Sequence, residues 1–342
     1  MADDSESRRR NVRLEDLAER AGVSISTVSR ALNDSPAVNR RTKQEIWKLA
    51  RELDYPFRRY MPTGPIGADA TIAVVVPMPQ ARDAHIHAPF FFELLSGIGD
   101  AARERGCDLL ISHTTPTSYD DLAYAMSTSR ANGVIFIGQS SLHREFNHLA
   151  ESEGRFVVWG AELPQQDYCS VGSDNVEGGR RAASHLARLG RKRIVFLGDT
   201  VAPESRQRHR GYIEALECHD LGVDPALVVP AHFDVESAES AAEGLIESGV
   251  QFDGIVAASD LIALGAVRAL RKFGRSVPDD VSVVGYDNVP FSRYATPALT
   301  TISQNVDTAG RILVSKLLDS GGPPSRSERT STDLIVRQSC GA

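Results

Sequence analysis

The sequence lacks any apolar run approaching the ~20 residues that a membrane-spanning helix requires, so no membrane partner is expected. Its first ten residues, MADDSESRRR, are charged and no apolar segment follows them. A secretory leader is therefore not read there, and a cytoplasmic location is expected. Cysteine is scarce: four in 342 residues, at 107, 169, 218 and 340, never as C-x-x-C. Neither a zinc site nor a redox pair is indicated, and free thiols, packed or incidental, are the reading. No G-x-G-x-x-G follows a strand, and there is no P-loop and no G-x-S-x-G. An enzyme is set aside on that ground, and no cofactor is expected. A net positive charge is missing too, since the formal charge is −7.

That deficit conceals a division. From Ser7 to Tyr60 there are 13 Lys and Arg against 7 Asp and Glu, a surplus of six. The chain beyond Tyr60 carries −10. A basic head on an acidic body can approach polyphosphate while the body stays off it.

Within the head lies LEDLAERAGVSISTVSRALN, residues 14–33. Leu14, Leu17, Ala18 and Ala21 form one apolar stripe at helical spacing, Gly22 interrupts it, and Ile25, Val28, Ala31 and Leu32 form a second. Two short helices about a glycine turn make a helix-turn-helix. Ser24 or Ser26 can cap the second helix. Ser26, Thr27, Ser29, Arg30 and Asn33 then line its outer side, a set suited to base edges and phosphates. A third helix is predicted over 39–53, with Asn39 as N-cap, Ile46, Leu49, Ala50 and Leu53 buried, and Trp47 packed on the first two helices.

The string A-G-V-S-x-x-T-V-S-R-x-L-N closely resembles the DNA-binding headpiece of the lactose-repressor (LacI/GalR) family. The resemblance implies a bacterial transcription factor whose helix from Ser24 to Leu32 lies in the major groove. It places Ile25 and Ser26 at the family's main specificity positions, Ile25 against a thymine methyl. Members of that family carry a hinge helix after the headpiece, with an Ala-Arg-x-Leu signature whose leucine wedges into the minor groove. This chain has no such signature, and Pro62, Gly64 and Pro65 discourage a helix there.

Beyond residue 70 short apolar strands alternate with amphipathic helices, from IAVVVP to VSVVGYD. Such alternation gives parallel sheets with helices on both faces. Eight or more strands in about 230 residues suit two doubly wound α/β subdomains better than one sheet. The likeness continues here, through APFFFELLSGI (88–98), VGSDN (171–175), the arginine-rich helix from Arg206, SDLIALG (259–265), VGYDN (284–288) and LIVRQS (334–339). It implies a periplasmic-binding-protein-like body. The division expected is a disordered basic arm at 1–11, the helix-turn-helix domain at 12–56 and a linker at 57–70. One effector subdomain then spans 71–168 with 301–330, the other 169–300 with 331–342. The crossings near Cys169, Leu299 and Thr332 form the hinge.

A cleft between two such subdomains is the default ligand site. The likeness puts Phe90 or Phe91 there as a stacking surface, with Phe92 as the core phenylalanine. It adds Arg208, with Arg206 and Arg210 as alternatives, and Asp287 as the acceptor of sugar hydroxyls. Ser259 and Asp260 enter the set too, although helix capping explains them equally well. Relatives carry Asp or Asn after the fourth body strand; here Trp159-Gly160 stands there and offers another stacking surface. His85 and His87 lie in a loop longer than usual, read as modifying the cleft mouth, and no metal is expected. The expectation is a homodimeric repressor on a near-palindromic operator, controlled by a small carbohydrate effector. The absence of a C-terminal heptad helix argues against a tetramer. The alternative is a solute-binding sensor of the same fold with another ligand.

Overall fold

A computed structural model of the chain describes residues 12–32, 35, 37–53, 55, 70–77, 89–112, 114–128, 131–139, 141–151, 155–319 and 326–342. The expected basic arm, Asn33, the linker up to Asp69 and the His85–His87 loop lie outside the described residues.

The head is three helices: α1 (Leu14–Ala21), α2 (Ile25–Leu32) and α3 (Arg40–Glu52). Gly22 stands at φ +63° between the first two, a conformation costly for any residue with a Cβ. Leu17, Ala18, Val28, Ala31, Val38, Ile46 and Ala50 form the apolar centre. The Asn39 carboxamide accepts from Thr42 N at 2.8 Å and opens α3 as expected. Trp47 is buried and bonded to α2, as expected. Its indole Nε1 donates to Ala31 O at 3.3 Å, and its ring meets a tyrosine of the body, described below.

The body contains two six-stranded sheets. The first is built from β1 (Thr71–Val75), β2 (Asp108–Ile111), β3 (Gly133–Ile137), β4 (Phe156–Trp159), β5 (Ser170–Ser173) and β11 (Glu328–Thr330). Its order is β11-β5-β4-β3-β1-β2, parallel throughout. The second comprises β6 (Ile194–Leu197), β7 (Val228–Val229), β8 (Gly254–Ala257), β9 (Ser282–Asp287), β10 (Thr300–Ser303) and β12 (Asp333–Ile335). Its order is β12-β10-β9-β8-β6-β7, and only β12 runs antiparallel. Helices α4 (Pro89–Glu104), α5 (Tyr119–Thr128), α6 (His143–Glu151) and α11 (Val306–Leu318) belong to the first half. Helices α7 (Asn175–Arg188), α8 (Pro203–Cys218), α9 (Val235–Glu247) and α10 (Asp260–Lys272) belong to the second. The strands β3, β6 and β8 are buried along their whole length, as parallel strands covered on both faces must be.

Two chain crossings fall later than the expected positions 169 and 299–301. Ser170–Ser173 pairs with β4 and β11, so β5 stays in the first sheet; Thr300–Ser303 pairs with β9, so β10 stays in the second. The hydrogen-bond ladder, rather than the change of texture along the chain, fixes where each half ends. The third crossing runs from Thr330 to Asp333.

Phe92 is a further correction. It is 54% exposed, whereas Phe90 and Phe91 are half-buried against the first sheet's core. Helical phase is the reason. Stepping back three or four residues from buried Leu94 reaches Phe91 and Phe90, while Phe92 falls off that stripe.

Candidate functional site

On the head, Ser24 is the residue that caps α2. Its Oγ accepts from Thr27 N at 3.1 Å and pairs with the hydroxyls of Ser26 (2.9 Å) and Thr27 (2.8 Å). The cap fixes the start of the helix, and Ser24, Ile25, Ser26 and Arg30 project outward as exposed residues; Thr27 and Ser29 are half-buried beside them. Ile25, 47% exposed at the first position of the helix, is an apolar group presented to solvent. A single row therefore carries a methyl-bearing side chain, short hydroxyls and a guanidinium, the chemistry by which a helix in the major groove discriminates base pairs.

In the body, both sheets end in polar or aromatic groups at the carboxyl ends of their strands, where ligands of open α/β sheets bind. On the first half, Trp159 closes β4 and Phe90 lies in the opening turn of α4. Their ring centroids are 5.9 Å apart at 38°, and Phe91 lies 6.2 Å from Phe90. Gly160, the next residue, leaves no side chain over this shelf; a Cβ there would meet the Gln139 carboxamide at 2.7 Å.

On the second half, Arg208 is 6% exposed within α8. Its Nε donates to Asn175 Oδ1 at 2.8 Å and its Nη1 to Ala258 O at 2.5 Å. Its guanidinium carbon sits 3.7 Å from the centre of the Tyr286 ring. Asp287, the last residue of β9, faces it, with Nη1 to Oδ1 3.9 Å. Asp287 also accepts from Gln304 Nε2 at 2.6 Å. Burial pushes its carboxyl up to about 6, against the opposing pull of Arg208 and Gln304. The residue stands at φ +110°, a backbone state costing about 1–3 kcal/mol for a non-glycine residue, which persists only where the surroundings enforce it.

Ser173 and Gln304 were not singled out by sequence reasoning, and Asn175 only within the VGSDN string, yet the three complete this cluster. Ser173 Oγ donates to Gln304 Oε1 at 2.6 Å, and Asn175 Nδ2 donates to Ser173 O at 3.2 Å. The end of β5 in one sheet is thereby tied to the residue following β10 in the other. The VGSDN string marks its stretch but not this link, and nothing in TTISQN marks Gln304; their role arises from the two crossings lying side by side. A second link joins the halves where Gln207 Nε2, on α8, donates to Glu162 O at 2.9 Å.

Ser259 and Asp260 take different parts. Ser259 Oγ accepts from Ile262 N at 3.2 Å and caps α10. Asp260 is 1% exposed. Its Oδ2 accepts from Val289 N at 2.9 Å and its Oδ1 from Thr301 Oγ1 at 2.6 Å. Both carboxylate oxygens are engaged inside the fold, clasping the loop after β9 to β10. Burial, and next the nearby Asp287 charge, holds this carboxyl well above the usual carboxylate range.

Residues 13–56 match the family model of bacterial regulatory proteins of the lacI family, and residues 183–340 match that of the periplasmic binding protein-like domain. The chain is 32% identical to the HTH-type transcriptional regulator CelR of Thermobifida fusca, over 97% of this chain and 99% of that protein. It is 29% identical to the probable HTH-type transcriptional repressor ExuR of Bacillus subtilis, covering 96% and 98%. Among solved structures it resembles a transcriptional regulator CelR–cellobiose complex at a TM-score of 0.70 and 30% identity, covering 96% of this chain and all of that one. A helix-turn-helix head, a two-sheet body and whole-length similarity to such regulators converge: the chain belongs to the LacI family of bacterial transcriptional regulators and binds DNA through its N-terminal head.

Proposed function

We propose that this protein is a homodimeric repressor that reads a near-palindromic operator with α2 and whose grip is set by a neutral sugar held between the Phe90–Trp159 shelf and the Arg208–Asp287 pair. The carrying observation is Asp287 itself: a buried carboxylate in a strained backbone, at a strand end, beside one guanidinium and one carboxamide. Ring hydroxyls donate to such a carboxylate and accept from such a guanidinium, while the C–H face of a sugar lies on flat aromatic surface.

The charge balance selects the effector class. Arg208 is committed to Asn175, Ala258 O and Asp287. Arg337, the cation nearest Asp260, donates to Asn288, Ser292 and Leu299 O. An anionic sugar acid would face the Asp287 carboxylate, and the two described cations named above already have partners. The similarity to a regulator solved as a complex with cellobiose supports the neutral class.

The partner surface proposed for the second copy is the outer edge of the first sheet. β2 is an edge strand with Leu110 39% and Ile111 58% exposed, and Phe92 is exposed on α4, the helix that packs next to it. Contiguous exposed apolar groups of this kind mark protein–protein contact.

A thermal-shift panel of neutral disaccharides, uronates and nucleosides, paired with a mobility shift on a palindromic fragment, tests the reading. At a hundred times its dissociation constant a true effector stabilises the body by about 2.7 kcal/mol. Stabilisation by a uronate and by no neutral sugar would overturn the class assigned.

A further inference from the structure

The head is not a free module in this structure. The ring of Trp47, on the third helix of the head, meets the ring of Tyr124 on α5 with centroids 5.9 Å apart and planes at 87°. This is the edge-to-face geometry that aromatic pairs favour. Trp47 is 4% exposed, held on the head side by its bond to Ala31 O of α2. The body side of the contact is anchored: Tyr124 rides on a helix whose Leu122, Ala125 and Met126 are buried in the core of the first half. Tyr119, one turn earlier, stacks on His148 of α6 at 4.1 Å.

Charge adds to the contact. The head carries the chain's basic surplus, and α5 opens with Asp120 and Asp121 in its first turn. A head seated there lies on an acidic helix and is attracted by the acidic body. Seating and DNA binding therefore draw on the same positive charge.

We infer that α5 is a docking surface for the chain's own head, that Trp47 and Tyr124 form its centre, and that seating there competes with DNA binding. The inference concerns the head alone and stands whether or not the cleft takes a sugar.

The protein has two tryptophans, Trp47 and Trp159, so Trp159→Phe leaves Trp47 as the sole indole reporter. In that full-length background, Tyr124→Ala is compared with the parent by emission maximum and acrylamide quenching. Each is then titrated with a mixed-sequence 20-base-pair duplex at low salt, where binding is electrostatic and needs no known operator. The expected result is a red-shifted, more quenchable Trp47 in Tyr124→Ala, together with DNA binding tightened by about two- to tenfold, the range spanned by one aromatic pair. Tyr124→Phe keeps the ring and should match the parent in both measurements. Tyr124→Leu is the second test variant should alanine disturb α5, as read by circular dichroism. Unchanged Trp47 emission on losing the ring would overturn the docking. A shifted emission with unchanged DNA affinity would overturn the competition.

Discussion

Asp287→Asn separates two forces that oppose each other at the centre of the cleft. The ion pair with Arg208, at 3.9 Å, is worth about 4 kcal/mol at an effective dielectric of about 20. Removing a carboxylate from water costs several kcal/mol on its own. The carboxyl that Asp260, Arg208 and Gln304 surround stands at about 6 rather than the ordinary 3.8, so burial outweighs the pair. The sign follows from linkage. Below 3.8 the carboxyl is protonated in both states and costs nothing. As pH rises from 3.8 to about 6, the unfolded chain ionises first and the native state loses relative stability. Above that the loss is complete, about 3 kcal/mol, and at pH 5 it is about half as large. A neutral isostere escapes the loss. Asp287→Asn should therefore raise the melting temperature of the ligand-free body at pH 8, by about 6–12 °C, and by about half as much at pH 5, while abolishing the response to any sugar. Scanning calorimetry at the two pH values measures both gaps. A variant that melts lower than the parent at pH 8, or a gap that does not widen with pH, would refute the reasoning and give the pair with Arg208 the larger share.

Three further outcomes follow from close contacts and exposed groups. A Cβ at Gly211 would lie 1.9 Å from Val176 O and 2.7 Å from Arg180 N, whereas one at Gly222 would meet nothing within 4 Å. Gly211→Ala should thus lower stability by about 1–3 kcal/mol or more and weaken sugar binding through displaced Arg208, with Gly222→Ala near neutral, as read by chemical denaturation and calorimetric titration. Arg30→Ala should weaken operator binding by about 1–3 kcal/mol in a mobility shift if its guanidinium reads a guanine. Ile111→Asp should lower the mass found by sedimentation from dimer to monomer while leaving the body folded, since it charges an exposed edge rather than a core.

The head was legible because its signals are local. Two 3.6-residue stripes, one glycine at φ +63° and serines at the cap position suffice to write α1 and α2. Eight of the strands, β1–β4 and β6–β9, were legible as apolar runs between amphipathic stretches. What could not be read was pairing between distant segments. SVGS at 170–173 bears no mark that assigns it to the first sheet, and TTIS at 300–303 none that assigns it to the second. For the same reason Asp287 and Arg208 stood out, while the VGSDN string did not show what Ser173 and Asn175 would hold, and Gln304 lay in no recognisable string. Their function exists only once two crossings meet. Asp260 shows the converse. Its string marked it as a ligand group, but the fold turns both its oxygens inward to Val289 and Thr301. Trp47 was read as packed on the first two helices, and its bond to Ala31 O agrees; its aromatic partner, 77 positions later, was out of reach of any local pattern.

The three crossings govern how the body can be made. The first sheet takes its outer strand from residues 328–330 and a covering helix from 306–318, and the second takes its last strand from 333–335. Neither half is a contiguous stretch of chain. On the ribosome, where domains otherwise fold in the order they emerge, the head can form early, but both halves of the body wait for the same final forty residues. A nascent chain of three hundred residues holds two sheets with open edges and uncovered cores. The sensor and the hinge thus come into being together, at release, and a truncated transcript yields a DNA-reading head with no body able to instruct it.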